Sequence, residues 1–258
     1  MNPQLTPASQ LDAQLLHEGH VVLAADTVCE LAASQLQDLM ALTSGWNDLP
    51  PDAHLKDGGR YRRRRHSCFE VQHNQWHQVA HRAHWQPLEY NALHGGMERM
   101  FDPIHDAVVH QPAWGQLMLW LARVSSQLKV SKGDSQQGGQ GASVPHAHHW
   151  FVEAHQFRID TTGGIGRPTP EGAHRDGVEL VAVFMVQRHL VKGGETRVFK
   201  VDSPAGERFT LAQPWSVLLL DDERVIHETT PIQPQLPNVG GYRDTLVVTL
   251  RSGGFQGA

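Results

Sequence analysis

The sequence predicts an α+β protein, mostly β, in which the second half of the chain builds an antiparallel sandwich or barrel and the first half supplies flanking helices. Three observations predict it. From residue 146 onward, short apolar runs recur at 146–159, 178–187, 194–200, 206–211, 215–220, 225–230 and 243–251, divided by Gly, Pro and Asp. No helical period lies between them, so they pair as neighbours rather than through crossover helices. Helical spacing is confined to the chain before residue 130. Residues 1–145 are therefore expected to pack, as helices and extended pieces, on a β core over 146–252 within one domain.

Taken in order, two helices open the chain. In the second, Thr27 and Glu30 have the spacing of a capping box, and Val28, Leu31, Ala32, Leu36, Leu39 and Met40 recur at helical intervals up to Gly45. Residues 66–93 read as extended chain interrupted by Gln, His and Asn, and Gly95-Gly96 supplies a turn. A third helix is expected at 113–129, where Trp114, Leu117, Leu121, Val124 and Leu128 form one stripe. Residues 131–143 carry four glycines and no large apolar group, so a mobile surface loop is expected there. Nucleotide-binding architectures are excluded. No GxGxxG or GxxxxGK occurs, and Gly163-Gly164-Ile165-Gly166 runs into Arg-Pro-Thr-Pro, which cannot open a phosphate-binding helix.

A chain of 258 residues, 40% apolar, buries a large core, which excludes disorder. No apolar run approaches the roughly 18 residues that span a bilayer, so no membrane partner is expected. The N-terminus lacks the basic start and unbroken apolar stretch of an export signal, and a cytoplasmic location is expected. A net charge of −5 argues against nucleic acid as a partner, although Arg60–Arg65 holds five arginines in six positions. Cys29 and Cys68 form neither a CxxC pair nor a disulfide framework and are expected to be packing residues. The oligomeric state is left open.

Eighteen histidines are about three times ordinary usage, so the question is which of them carry chemistry. In extended chain, positions i and i+2 face the same side, so His174 and Asp176 in Glu171-Gly-Ala-His-Arg-Asp-Gly177 present an imidazole and a carboxylate to one point. Fifty-three residues after His174, His227 follows Asp221-Asp-Glu-Arg-Val-Ile226 at another strand. Two histidines and one carboxylate on one face of a metal leave three positions open, the arrangement suited to non-haem Fe(II) oxygenases. Sixteen residues beyond His227, Arg243 and Thr245 share a strand face, and a guanidinium beside a hydroxyl is suited to clamp a carboxylate. A dicarboxylate co-substrate such as 2-oxoglutarate, chelating a metal at one end, needs such a clamp at the other, and O2 takes the last position.

These residues carry a resemblance. The stretch 145–252 is similar to the double-stranded β-helix (jelly-roll, cupin-like) core of the 2-oxoglutarate/Fe(II)-dependent dioxygenases. More narrowly, Pro168–Gly177, Gly193–Thr196, Asp221–His227 and Tyr242–Asp244, with Gln86–Arg99 and His155–Ile159 upstream, resemble the bacterial family typified by free L-isoleucine dioxygenases, which includes BsmA-like proteins linked to biofilm and stress behaviour. Similarity covers about four fifths of the chain. It implies Fe(II) ligation by His174, Asp176 and His227, 2-oxoglutarate binding by Arg243, and hydroxylation of an aliphatic C–H bond of a small substrate, expected to be a free L-amino acid, with release of succinate and CO2. Thr245 stands where many relatives of the wider superfamily have serine, which retains the hydroxyl.

Other candidates are weighed against plainer roles. Arg158, Gln156, Tyr90, Asn91 and Arg99 are candidates for substrate contact; Gln156 and Arg158 share strand parity and are expected on one face. His146, His148 and His149 could bind zinc, but no nearby carboxylate or thiolate completes a closed site, so surface positions are favoured. His73, His77, His81 and His84 follow no shared face and are expected in solvent. The arginine run is expected to be a solvated strand entry covering apolar surface, with an anion-facing wall as the alternative. Asp221 and Asp222, adjacent in extended chain, cannot act together as acid and base, and a turn role is expected. Val183, Met185 and Val198 suit a water-poor interior. The rival functions are a non-catalytic sensor binding metal and 2-oxoglutarate in a stress or biofilm response, and a closed zinc cupin built on 146–149.

Overall fold

The computed structural model describes residues 1–91, 93, 95–136, 148–203 and 205–257. In chain order its main elements are α1 (Leu11–Glu18), β1 (His20–Leu23), α2 (Ala25–Ala32), α3 (Leu36–Leu42), β2 (Arg62–Gln72), β3 (Gln75–Gln78), α4 (Asp106–Val109), α5 (Pro112–Gln136), β4 (Trp150–Asp160), β5 (Leu180–His189), β6 (Val191–Gly193), β7 (Thr196–Lys200), β8 (Gly206–Phe209), β9 (Val217–Asp221), β10 (Val225–Thr229), β11 (Ile232–Pro234) and β12 (Tyr242–Arg251). Each apolar run predicted in the second half forms a strand within a few residues of its expected bounds.

Among the described residues, the large sheet runs β1-β9-β5-β12-β4-β2-β3, antiparallel throughout, and faces a smaller sheet β10-β7-β8. This is the mostly β, double-stranded β-helix arrangement expected, with helices from the first half against its outer face. Strands from both halves share the large sheet, since β1 pairs with β9 and β2 with β4. Period-2 alternation sends Val152, Ala154, Ala182, Phe184, Leu219, Leu246 and Val248 outward onto the helices, where Trp114, Leu117 and Leu121 of α5 meet them. Val181, Met185, Leu218 and Leu220 point inward and join Val198 and Val225 of the smaller sheet in a second core. The large sheet is therefore buried on both faces.

Several expectations are corrected. The second opening helix is two helices: the chain breaks at Ala33, whose φ of +54° is left-handed. Thr27 does not cap it, because the helix begins at Ala25 after Ala24. The stripe predicted at 113–129 is buried as expected, but α5 continues to Gln136, so residues 131–136 are helix, while the rest of the predicted loop, 137–143, lies outside the described residues. His146 lies outside them too. Cys29 is half-buried, Cys68 is buried, and both are free thiols. Among the described residues, no helix is long and apolar enough to cross a membrane.

Arg62–Arg65 of the arginine run open β2, and three of these four are not solvated. Arg62, Arg64 and Arg65 are buried, whereas Arg60, which precedes the strand, and Arg63 are exposed. Arg62 is held by Asp52 at 2.7 Å. Arg65 donates to the carbonyls of Pro103 and Asp48. Stems that could cover surface in principle are instead enclosed because β2 is an inner strand of a sheet covered on both sides.

Candidate functional site

The segment from Glu171 to Val178 is held against β10 by a single antiparallel bridge, in which His174 and His227 exchange backbone N–H···O bonds of 3.0 and 2.9 Å. That pairing sets the two imidazoles side by side, ring centroids 4.5 Å apart. Asp176, two residues on, turns its carboxylate to the same point: Oδ1 lies 3.9 Å from His174 Nε2 and Oδ2 lies 3.8 Å from His227 Nε2. Three residues distant in sequence thus bring one donor atom each to within 4.8 Å of one another.

The segment is anchored by Asp222. Its carboxylate accepts the backbone N–H groups of Asp176, Gly177 and Val178 at 2.7–3.1 Å. The turn role expected for Asp222 is thereby more specific, since it shapes the loop that carries Asp176, while Asp221 faces Lys132 at 2.7 Å. Gly177 has φ +75°, and a Cβ there would lie 2.4 Å from the Tyr90 ring, so no other residue fits. Tyr90 supports this turn from behind and is absent from the cavity wall around the three donors.

Donor chemistry fits a divalent metal. His174 Nδ1 donates to the Gly172 carbonyl at 2.9 Å, which places the lone pair on Nε2, facing Asp176. Burial and the neighbouring His174 hold His227 well below the ordinary imidazole range, so its ring is neutral and able to ligate, and its buried Nδ1 has no partner among the described residues. Burial lifts Asp176, and burial followed by Asp176 lifts Asp222 to about 7. Two carboxyl groups buried this close together call for a cation. Donors about 2.1 Å from one ion lie at most about 4.2 Å apart, a spacing these distances meet. A 2-His-1-carboxylate set, with no fourth donor in its cluster among the described residues, suits Fe(II).

The cavity beside this set has a volume of about 130 Å³. Arg243 and Thr245 of β12 both face it, on the shared side that their spacing predicts. Arg243 is buried and its Nε has no partner among the described residues; burial, then Arg188, lowers its pKa to about 9, so it remains a cation at neutral pH. A buried, unmatched guanidinium is what a co-substrate carboxylate would satisfy.

The substrate candidates divide. Asn91 and Arg99 line the cavity, with Gln86 linking them to the metal residues: Asn91 and Arg99 donate to Gln86 Oε1 at 3.1 and 2.9 Å, and Gln86 donates to Asp176 at 3.0 Å. Gln156 and Arg158 share one face as expected, but it is the outer one. On β4 the cavity is lined by Phe151, Glu153, His155, Phe157 and Ile159. Gln156 instead packs beneath Gly45, and Arg158 forms a two-bond pair with Asp244 at 2.8 and 2.7 Å. Because Asp244 is wholly enclosed, Arg158→Met should cost about 3 kcal/mol of stability by stranding a buried carboxylate, read as a lower denaturant midpoint. The same variant should leave the half-saturating 2-oxoglutarate concentration unmoved; a large rise would place Arg158 in the site after all.

Sequence reasoning missed a second polar cluster in this cavity. His66 of β2, His84 and Glu153 and His155 of β4 bring donor atoms within 4.8 Å of one another, all buried. The expectation that His84 is solvated is therefore wrong, whereas His73, His77 and His81 are exposed. Glu153 Oε2 accepts from His84 Nδ1 at 2.6 Å and His66 Nε2 at 3.2 Å. Arg64, which can only donate, lies 2.7 Å from His155 Nδ1, so the proton of His155 sits on Nε2 and blocks metal ligation there. The cluster is a hydrogen-bonded hub around one carboxylate rather than a second metal centre. The parity of Glu153 and His155 was the available signal, opposite to that of Gln156 and Arg158. The 146–149 cluster contributes His149, which bonds Glu70 at 2.9 Å, and His148, whose ring meets Trp150.

Burial pushes all three hub histidines below the ordinary imidazole range, His84 to about 4, while Glu153, lifted by burial, is held low by His84 and His66. The unfolded chain takes up protons on histidine near pH 6.5, and the folded chain does not until about pH 4 at His84. More protons bind the unfolded state in that window, so stability falls as the pH drops, by about 1.4 kcal/mol per pH unit for each histidine. Thermal melts between pH 7.5 and 4.5 should show this fall, and His84→Gln should flatten it. A flat profile would mean that these rings are charged in the fold.

Comparison with known proteins shows the family. A sequence model of the 2OG-Fe dioxygenase family matches residues 43–249. The crystal structure of a bsmA homologue from Methylobium petroleophilum PM1 is similar at 48% identity and TM-score 0.87, covering 99% of this chain and 97% of that one. IDO from Bacillus thuringiensis (15% identity, TM-score 0.73, 98% and 99% covered) and the Fe(II)/α-ketoglutarate-dependent dioxygenase TqaL (18%, 0.67, 95% and 86%) share the fold. No protein with a curated description matches the chain. The chain belongs to the 2OG-Fe dioxygenase family, and the protein is an oxidoreductase of the class that uses Fe(II), 2-oxoglutarate and O2.

Proposed function

We propose that the protein hydroxylates an aliphatic C–H bond of a free L-amino acid, converting 2-oxoglutarate to succinate and CO2. The observation that carries this reading is the composition of the cavity wall. Besides the three donors it carries apolar Val178, Val183, Val247, Phe151 and Phe255 and the buried cations Arg64 and Arg99. A volume of about 130 Å³ suits a small carboxylate with an aliphatic part rather than a polymer.

In this reading His174 Nε2, the Asp176 carboxylate and His227 Nε2 hold Fe(II), and Arg243 with the Thr245 hydroxyl holds the distal carboxylate of 2-oxoglutarate. When bound, Fe(II) with 2-oxoglutarate and O2 supplies the oxidising power that breaks the C–H bond. The chain supplies orientation and dryness. Gly172 fixes the His174 tautomer, Gln86 and Asp222 fix Asp176, and the C-terminal segment covers one side, with Phe255 edge-on to Phe151 at 5.1 Å and Gln256 donating to the carbonyls of Asp176 and Gly177. The BsmA-like resemblance extends the reading to a stress or biofilm setting.

The test is succinate release by purified protein supplied with Fe(II), 2-oxoglutarate and a mixture of free L-amino acids. Stimulation by an aliphatic amino acid, with a product 16 Da heavier, is expected. Binding of both Fe(II) and 2-oxoglutarate with no stimulated succinate would favour the sensor reading instead.

A further inference from the structure

Among the described residues, five buried charged side-chain atoms of the cavity's lining have no hydrogen-bond partner: Nη2 of Arg62, Nε of Arg64, Arg99 and Arg243, and Oε2 of Glu171. Some of the charges there are otherwise engaged, and Arg64 Nη1 itself lies 3.9 Å from Asp52. Arg62 has Asp52, Glu153 has two histidines, and Arg243 is placed for the co-substrate. Arg99 makes its side-chain bond to an uncharged amide, Gln86. Glu171 and Arg99 influence each other electrostatically without touching, and the ion pair that Glu171 does make is a loose one, 3.5 Å from His174.

Leaving charged atoms buried and unpaired is costly, so the gap between them describes what fills it. Its occupant is negative toward Arg64 and Arg99 and positive toward Glu171. The carboxylate and ammonium of an α-amino acid have this pattern. Arg64 is prepared for such a role: its guanidinium lies between the rings of Phe101 and Phe157, at 3.8 and 4.4 Å, and donates to His155, which the Glu153 hub holds in turn. A planar guanidinium fixed in this way loses little freedom on gripping a carboxylate.

We propose that Glu171 binds the substrate's ammonium group and that Arg64 and Arg99 bind its carboxylate, so that the enzyme takes an amino acid only as a zwitterion with both head groups free. The Glu153 hub positions Arg64 and does not touch the substrate. Glu171 lies 3.5 Å from His174, so an ammonium held there would bring the first carbons of the side chain toward the three donor residues, with the remainder along Val178, Val183 and Val247. This proposal rests on the reading that the substrate is a free amino acid.

The experiment compares L-isoleucine, L-leucine and L-valine with their amides, their N-acetyl derivatives and their α-hydroxy acid analogues, on protein loaded with Fe(II) and 2-oxoglutarate. Binding is read by calorimetry under argon and turnover by product mass. Capping either head group should weaken binding by about 10–100-fold. Glu171→Gln should weaken the amino acid by a similar factor but the hydroxy acid far less, so that the preference between the two shifts. Arg99→Met, or Arg99→Lys if the first does not fold, should weaken both alike. A general structural defect lowers both analogues together and cannot shift their ratio. Capped analogues bound as well as the free acid, or Glu171→Gln acting equally on both analogues, would overturn the proposal. So would loss of Fe(II) affinity in Glu171→Gln with the ratio unchanged, which would make Glu171 a metal-side group. If no amino acid binds or stimulates turnover, the substrate reading itself has failed and this one falls with it; if amino acids turn over but the ratio stays fixed, only this one fails.

Discussion

His174→Ala and Asp176→Ala should each reduce substrate-stimulated succinate release to below about 1% of the parent enzyme. Loss of a hydrogen bond that merely supports a metal ligand costs about 10–100-fold, and these variants remove donors themselves. Metal analysis should show the iron content falling in parallel, and added Fe(II) should no longer raise the melting temperature, because only binding to the folded state stabilises it. The Asp176 variant carries an internal control. With Asp176 gone, Asp222 loses the neighbour that, after burial, lifts its pKa, so the metal-free variant should be no less stable than the metal-free parent. Turnover retained in either variant would remove the iron assignment, whatever the geometry of the three donors.

Arg243→Met should raise the 2-oxoglutarate concentration needed for half-saturation by at least about thirtyfold. Methionine refills most of the volume, so the variant removes a charge rather than a wall. Truncating one side of a buried, hydrogen-bonded charge pair costs about 2–5 kcal/mol, which sets that lower bound. Calorimetric titration of 2-oxoglutarate checks it independently of turnover. An unchanged requirement would transfer the clamp to another buried arginine of the same cavity, with Arg62 and Arg64 the nearest in kind.

Much of this site is legible in the sequence because it depends on local rules. His174 and Asp176 are two apart in extended chain and so face one way, as do Arg243 and Thr245, and neither statement needs the fold. The strands of the second half are equally legible, since Gly, Pro and Asp punctuate them and each keeps an apolar run. What failed did so for identifiable reasons. Arg62, Arg64, Arg65 and His84 look like solvent residues by composition, yet β2 lies inside a two-sided sheet and the 79–105 segment covers it, so their partners Asp52, Glu153 and His155 come from elsewhere in the chain. Ala33 interrupts a helical pattern that continues unbroken in the residues, because a left-handed turn there lets α2 and α3 each lay an apolar side against α5.

Gln156 and Arg158 mark the boundary most clearly. A period of two states that they share a face, and it cannot state which face, because both faces of β4 are buried: one under helices, the other against the cavity. By itself, then, the sequence determined the strands, the metal-binding residue types and the pairs that point together. Only the tertiary structure decided which side is inside, which cations lie unmatched beside the metal residues, and that Glu153 with its histidines shares their cavity. Such outcomes depend on contacts between strands far apart in the chain, and no local period encodes them.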